Sequence, residues 1–425
     1  MHFFSVFFLG FSGFFFCLGT LQGQSGLGHS PVSRLGYGFP LDFGLSRNEA
    51  LAGCGQALPD EDFPNFANPA LLHFNRKVNL NTDFRYLYRR LSQPGESLYR
   101  RAAAGPANLA LVVPLSGRIS AGFGIRPYSF REFIYENIRY ASTDSIGLRI
   151  RGSGGLSQVF MASGIRINKY LGIGLEASYV FGTLEDSVTF GVLPSSVNYQ
   201  FSNILKRKAS QFMFRPGLHF MKPISAGKKP LFLSLGCSAD LIQQISLRRY
   251  NQFAIPGTNF RDTLEFETAA SIRKPKIIRA GVGLFSPSYW SVSAETEYQQ
   301  ADFIPSEGRV NFSNQFSWRA CAEYRPGTDR STAYSNLITY RAGLSIQNFP
   351  FSDGSGVYRD YRISAGASFP VIRKEAKFSK PLINIAVATG RRGNQAGIFG
   401  MENYWQISLG FTLNDFLWFN RYKID

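Results

Sequence analysis

The residues that could carry out catalysis or bind a metal are few and scattered along the chain. Only three histidines, His29, His73 and His219, follow the N-terminal apolar run. A lipid hydrolase needs a nucleophilic serine beside a base, and no Gly-x-Ser-x-Gly turn occurs to present one. No cluster of His, Cys, Asp or Glu has the spacing of metal ligands. We therefore expect a protein that is not an enzyme and that has no metal and no cofactor.

The cysteines point to no disulfide framework. After the N-terminal apolar run the chain keeps Cys54, Cys237 and Cys321, which is an odd and sparse set. In the strand pattern described next, Cys237 faces outward and Cys321 faces inward, so these two are not expected to pair. We interpret the cysteines as small apolar fillers.

The dominant pattern is a strict alternation of apolar residues with polar or small ones. Residues 118–126 and 402–413 show it most clearly, and we count about fourteen such segments between positions 77 and 413. Most reach the length of about 9–11 residues that a strand needs to cross a bilayer. Only 18% of residues are charged and the mean hydropathy is −0.10. The pattern predicts an all-β fold, an antiparallel transmembrane β-barrel of about 14 strands in the outer membrane of a Gram-negative bacterium. A soluble β-sandwich also alternates, but its strands are shorter, at about 5–6 residues.

Charged residues on the predicted inward face are the candidate functional residues of the barrel. Charges of both signs can pair across a lumen or onto a plug, and the alternative is that they are solvated pore residues. The net charge of +17 is spread over strands and turns, so we expect no nucleic-acid binding but contact with outer-membrane lipid and lipopolysaccharide. The candidate lumen-facing charges are Asp83, Arg85, Arg118, Arg126, Arg166, Glu176, Arg279, Glu295, Arg319 and Arg341.

The chain divides into three parts. Residues 1–23 contain the apolar run Phe3 to Leu18 and a small residue at Gly23, which is typical of a signal peptide for export, although a membrane anchor helix is the alternative. Residues 24–76 are not strand-like and either hang in the periplasm or fold into the lumen as a hatch. Ser46 and Glu49 have capping-box spacing there and predict a short helix. Residues 77–425 form the barrel.

The links between the predicted strands alternate in length. Positions 116–117 and 168–169 are short turns, whereas 131–154, 184–208 and 243–275 are expected to be long loops. Short periplasmic turns and long extracellular loops are typical of outer-membrane barrels, which places both termini in the periplasm.

The stretch Ala50 to Ala57 followed by Asn68, Pro69 and Ala70 resembles the N-terminal hatch of the FadL-like long-chain fatty-acid transporters of the outer membrane. The segments Gly124 to Ser129 and Ser178 to Glu185 are similar to a subgroup of that family. The resemblance implies a hatch motif at Asn68-Pro69-Ala70, a hydrophobic ligand or lipid bound beside it, and lateral exit through a kink in the third strand. Pro127 falls in that strand and is the candidate wall kink. The alternative is a proline at the extracellular end of the strand.

The resemblance leaves two functions open. The first is an outer-membrane channel for passive uptake of hydrophobic or amphipathic small molecules, such as long-chain fatty acids, through a plugged barrel. The alternative is a non-transporting plugged barrel that acts as a partner subunit of an outer-membrane or protein-secretion assembly. Fold transfers between relatives more safely than substrate does.

Overall fold

A computed structural model describes residues 30–92, 99–141, 144–193, 200–225, 230–256, 258–287, 289–306, 308–327, 333–371 and 381–415. The predicted signal peptide lies outside these residues. Within them, no helix is long and apolar enough to cross a membrane.

One antiparallel sheet closes on itself when its last strand pairs with the first strand of the wall. The strands are β1 (Phe39–Pro40), β2 (Val78–Ser92), β3 (Tyr99–Pro114), β4 (Ile119–Phe130), β5 (Phe133–Ala141), β6 (Asp144–Arg166), β7 (Leu171–Leu193), β8 (Gln200–Ser225), β9 (Leu231–Asp240), β10 (Gln244–Ala254), β11 (Arg261–Arg273), β12 (Lys276–Ser286), β13 (Trp290–Gln300), β14 (Asn311–Phe312), β15 (Gln315–Tyr324), β16 (Thr339–Ser352), β17 (Val357–Pro370), β18 (Leu382–Gly393) and β19 (Met401–Asp415). The helices are α1 (Ser46–Ala50), α2 (Tyr334–Leu337) and two 3-10 helices, η1 (Pro31–Arg34) and η2 (Pro69–Phe74).

The wall has fourteen strands, which confirms the predicted barrel. Three of them are interrupted, because β4 continues into β5, β9 into β10 and β11 into β12 along the same neighbouring strands. β1 and β14 are short additions outside this count.

The two faces of the wall differ as the alternation predicts. On β19, Trp405 and Phe411 are 58% and 49% exposed on the outside, whereas Ser408 and Thr412 are buried on the inside. Apolar side chains that face outward lose nothing when the surroundings are lipid, and small polar ones leave room inside the barrel.

The two ends of the barrel also differ. Turns such as 115–118 and 167–170 form the short-turn end, where β2 begins and β19 ends. At the opposite, long-hairpin end, the loops expected at 131–154, 184–208 and 243–275 are largely strand. This corrects the sequence prediction. Strands that project beyond the membrane have no lipid-facing side, so their alternation is weak and they resemble loops in the sequence.

The N-terminal segment, residues 30–77, runs along the inner face of the wall from one end to the other. Ser30 lies at the long-hairpin end, where its backbone nitrogen donates to the Glu132 carbonyl at 2.9 Å. The segment joins β2 at the short-turn end. The predicted short helix is present as α1. The predicted capping box is absent, because Leu45 occupies the N-cap position and no side chain caps the helix. The backbone nitrogen of Ser46 instead donates to Asp83 Oδ1 at 2.9 Å.

Candidate functional site: the occupied lumen

A row of side chains with alternating charges crosses about half of the inner wall. Each carboxylate forms ion pairs with arginines on two different strands, so that the pairs form one continuous ionic belt. The N···O distances run from 2.6 to 3.5 Å. In order across the wall, the ionic belt consists of Arg126, Glu176, Arg215, Asp240, Arg279, Glu297 and Arg319.

The N-terminal segment covers this belt with an aromatic ring. The guanidinium carbons of Arg126, Arg215 and Arg279 lie 5.1, 4.6 and 5.7 Å from the ring centre of Phe43. Cations over a desolvated aromatic face are stabilised by its quadrupole. The ring of Phe43 therefore covers three of the four arginines of the belt.

Helix α1 of the segment makes the densest charged contact with the wall. Glu49 pairs with Arg85 of β2 and Arg362 of β17, and it also accepts from Gln406 Nε2 at 2.7 Å. The two arginines hold the pKa of Glu49 down at about 2, against the opposing effect of burial. We call the wall residues that surround α1 the charged wall: Asp83, Arg85, Glu323, Arg341, Arg362 and Gln406.

Helix α1 also contributes a cationic side chain, Arg47, that binds it to the wall. Arg47 is buried and lies 3.2 Å from Asp60 of the segment and 3.4 Å from Glu323 of β15. Glu323 is shared with Arg341 at 2.6 Å. Helix α1 therefore contributes one charge of each sign, and both are paired with residues of the charged wall.

Helix η2 rests on a different kind of surface. Here the wall offers glycines, which we call the glycine floor: Gly164, Gly172, Gly174, Gly217 and Gly236. A methyl group at Gly174 would lie 2.3 Å from the Ala70 nitrogen, and one at Gly236 would lie 1.8 Å from the Gln56 carbonyl oxygen. Only a residue without a side chain permits such an approach between two backbones.

The predicted hatch motif is the part of the segment that touches this floor. The Asn68 side chain accepts from the Ala70 nitrogen at 3.1 Å and donates to the carbonyls of Gln56 and Leu218 at 3.0 and 2.9 Å. It therefore caps η2 and joins the segment to β8 at once. Pro69 takes the first position of η2, where a missing N–H costs nothing.

Strands β3 and β4 separate toward the long-hairpin end, which leaves a parting in the wall. Pairing of the two strands runs from Pro114 with Ser120 to Leu109 with Ile125. Beyond that point β4 pairs with β1 of the N-terminal segment instead, through Phe39 with Phe130. The segment thus replaces β3 as the neighbour of β4.

Two glycines bring the segment against both sides of this parting. A methyl group at Gly38 would lie 2.5 Å from the Phe130 carbonyl oxygen, and one at Gly44 would lie 2.2 Å from that of Ala107 in β3. Both glycines have positive φ, +96° and +79°. Residues 38–44 therefore bridge the parting from inside the barrel.

A cavity of about 170 Å³ lies above the segment near the long-hairpin end. Apolar rings such as Phe39 and Phe349 line it together with Arg89, Arg392 and Asp360. Arg392 lies 2.7 Å from Asp360, and its guanidinium carbon lies 4.3 Å from the centre of the Phe39 ring. The cavity is smaller than the roughly 300–1,000 Å³ of a small-molecule site, and its walls carry many paired charges.

The predicted lumen charges fall into three groups. Arg126, Glu176, Arg279 and Arg319 belong to the ionic belt, whereas Asp83, Arg85 and Arg341 belong to the charged wall. Glu295 accepts from the backbone nitrogens of Gly55 and Gln56 at 2.8 and 2.7 Å. These eight are buried or nearly so and are therefore not solvated pore residues. Six of them form ion pairs, whereas Asp83 and Glu295 accept hydrogen bonds from the backbone of the segment.

Two predicted lumen residues lie at the short-turn end. Arg118 is exposed in the turn before β4, because that strand begins at Ile119 and not at 118 as the alternation predicts, so this prediction was wrong. Arg166 lies at the last position of β6, where it is half-buried at the mouth of the lumen near His73 and donates to the Gly117 carbonyl at 2.8 Å. Alternation no longer defines an inward side beyond the end of a strand, which accounts for Arg118.

The third wall strand is irregular near Pro127, but its break lies further along. The register between β4 and β6 shifts between Pro127 and Ser129, and the strand is interrupted at Arg131 and Glu132 before β5 begins. A wall kink at Pro127 itself stays a prediction.

The sequence offered no signal for the segment residues that matter most. Arg47, Glu49 and Phe43 stand in a stretch without periodicity, so nothing marked them as partners of wall residues. No group of three or more possible metal ligands occurs in the described part of the chain. His219 is buried and lies 2.8 Å from Ser234 Oγ, under the ring of Phe74.

A family model named BamG matches residues 9–425. The chain belongs to the BamG family. The family is therefore BamG and not the FadL-like transporters, and the predicted FadL resemblance holds for the fold, which the solved structures below confirm. A search of curated protein sequences gave no match.

Solved structures similar to this BamG-family protein include FadL-type barrels. A FadL homologue from Pseudomonas aeruginosa superposes with a TM-score of 0.58 at 14% identity, over 89% of this chain and 99% of that one. The Pseudomonas putida toluene transporter TodX gives 0.55 at 13%, over 89% and 99%. The Ralstonia pickettii toluene transporter TbuX gives 0.52 at 14%, over 87% and 97%. At such identities the likeness shows the fold, which is that of outer-membrane transporters.

Proposed function

We propose that this protein is a plugged, non-transporting barrel that serves as a partner subunit of an outer-membrane assembly. The observation that carries the proposal is the N-terminal segment, which runs through the lumen with its charges paired to the wall. A passage for apolar solutes would have to displace Glu49 and Arg47, and this would leave buried charges without partners. Breaking a buried pair costs about 3–5 kcal/mol.

The parting in the wall supports the same proposal. The lateral exit implied by the FadL resemblance corresponds in position to the gap between β3 and β4. Residues 38–44 bridge that gap through backbone contacts at Phe130 and Ala107. Membership of the BamG family supports a role in outer-membrane assembly rather than in uptake.

The projecting hairpins offer a surface for such a partner. β7 and β8 have 23 and 26 residues, about twice what a bilayer requires. Near the tip of this hairpin, Phe190 and Phe201 pair across the strands and are 47% and 44% exposed. Exposed aromatic residues outside the lipid region are typical of contacts between proteins.

The test is purification of the tagged full-length protein from outer membranes in mild detergent. We expect a second outer-membrane protein to co-purify in constant ratio, and the variant Phe190→Ser/Phe201→Ser to lose it while remaining in the membrane. Ile398→Ser removes an equally exposed apolar side chain from the β18–β19 link and should keep the partner. Recovery of the barrel alone, from native membranes with the wild-type chain, would refute the proposal.

A second candidate is uptake of hydrophobic or amphipathic molecules, which the likeness to FadL-type transporters supports, with the rings of Phe39 and Phe349 as the apolar contact for a ligand. The same purified protein distinguishes the two. Saturable binding of a long-chain fatty acid or toluene, abolished by Phe349→Asp, would support uptake. Absence of binding for both probes supports the partner role.

A further inference from the structure

Two thiols meet where the N-terminal segment crosses β15. Cys54 of the segment is fully buried, and Cys321 on the inner face of β15 is 8% exposed. They share one apolar cluster with Leu51 and Leu58.

The backbone fixes this encounter. After α1 the chain turns through Ala52 and Gly53, both with positive φ (+52° and +88°), and the Cys54 nitrogen donates to the Leu51 carbonyl at 3.0 Å. A positive φ is uncommon for alanine and marks a turn that its surroundings impose. The turn directs Cys54 toward the wall.

The wall beneath the turn is equally specific. A methyl group at Gly343 would lie 2.4 Å from the Leu51 carbonyl carbon, and Gly343 is the cross-strand partner of Cys321. On β15 itself, Arg319 Nε would lie 3.3 Å from a methyl group at Gly53. The contacts at Gly343 and Arg319, both close to Cys321, therefore hold the turn that carries Cys54 against β15.

We propose that Cys54 and Cys321 form a disulfide that covalently ties the N-terminal segment to the barrel wall. The two thiols lose two protons and two electrons, and one S–S bond forms. The acceptor of the electrons and protons is a thiol–disulfide exchange protein of the cell envelope, whose own disulfide is reduced to two thiols. A mixed disulfide is the intermediate, and the second thiolate of the chain displaces the exchange protein.

The burial of both thiols places this exchange before the final packing of the segment. In the packed state the hydrogen bond with Cys321, together with burial, raises the pKa of the Cys54 thiol, and a protonated thiol is a poor nucleophile. The bond would close a loop that contains most of the barrel, from β2 to β15. The inference stands independently of the proposed function, because a tethered segment is compatible with a partner subunit and with a channel.

The test uses the wild-type full-length protein. Cells are harvested into denaturant with excess N-ethylmaleimide, and tryptic peptides of the outer membrane are analysed without and with reduction. We expect residues 48–76 and 320–330 as one linked peptide that separates on reduction, and Cys237 alkylated in both samples. Without reduction the chain should also migrate faster in a denaturing gel.

Matched variants make the result specific. Cys237→Ser should keep the linked peptide, whereas Cys54→Ser should leave Cys321 alkylated. Alkylation of both Cys54 and Cys321 in the unreduced wild-type sample would overturn the proposal. A linkage of either cysteine to Cys237 would overturn it as well.

Discussion

The glycine floor and the charged wall bind the same N-terminal segment in opposite ways. At the floor, β6 to β9 present glycines, and η2 lies backbone against backbone on Gly164 and Gly174. At the wall, β2, β15 and β17 contact α1 through charged side chains. The floor specifies shape and the wall specifies charge. A segment that satisfies both has one position in the lumen.

The difference implies different tolerance to substitution. A glycine under a backbone atom has nothing that can move aside, so an added side chain must displace the segment. A charged pair has flexible side chains, but neither charge can be left alone in a buried site. Substitutions at the two surfaces therefore distinguish the steric contribution of the glycine floor from the electrostatic contribution of the charged wall to binding of the segment.

The largest effect is expected from Gly174→Val on the glycine floor. The new side chain would meet the Ala70 nitrogen, which belongs to the backbone of η2, and it should lift the segment out of its seat. We expect a several-fold rise in single-channel conductance in a planar bilayer, together with protease cleavage between positions 60 and 75. Gly117→Val is the matched control, since it has no atom within 4 Å. If Gly174→Val conducts like the wild-type protein, the segment does not block the lumen.

An intermediate effect is expected from Glu49→Gln on the charged wall. The change removes two buried ion pairs and should lower the free energy of unfolding by about 3–5 kcal/mol. The measurement is urea unfolding in detergent micelles, with hydrogen exchange of residues 45–54 as a local readout. Glu61→Gln is the control, because Glu61 pairs with Arg76 at the surface and should contribute about 1 kcal/mol or less.

The pH dependence of the same variant gives an independent check. The pKa of Glu49 is about 2 in the folded protein, below its ordinary value of 4.5. A depressed pKa stabilises the folded state above pH 4.5, and this stabilisation is lost as pH falls from 4.5 toward 2. The stability difference between wild type and Glu49→Gln should shrink over that window. A difference that is constant from pH 6 to pH 3 would contradict the assigned pairing.

Alternation predicted the wall well and the segment poorly, for a physical reason. A strand between lipid and lumen must change sides at every residue, so Arg126, Glu176 and Arg279 could be assigned inward from the sequence. The rule does not apply beyond the end of a strand, which explains why Arg118 was wrongly predicted to face the lumen. The segment is surrounded by protein on all sides and has no period, so its contacts depend on folded geometry. Neither Glu49 with Arg362 nor Cys54 with Cys321 could be read from spacing.

The smallest effect is expected from Asn68→Ala, where the two kinds of contact meet. The Asn68 amide caps η2 and donates to Leu218 of the wall, but the glycine floor beneath it would be unchanged. Losing buried hydrogen bonds of this kind costs about 1–3 kcal/mol. We therefore expect hydrogen exchange of residues 66–75 to accelerate about tenfold or more, without a rise in conductance.

Asn65→Ala separates the wall contact from the internal ones. Asn65 makes a similar set of hydrogen bonds, to Gly55, Leu58 and Ala67, all within the segment. It should loosen the segment internally and leave β8 protected, whereas Asn68→Ala should also expose the amides around Leu218 to exchange. If both variants leave β8 equally protected, the asparagine of the motif serves the fold of the segment and the glycine floor alone provides its seat. The glycine floor would then bind the segment by shape alone and the charged wall by charge alone, and the hydrogen bond between Asn68 and the wall would contribute nothing.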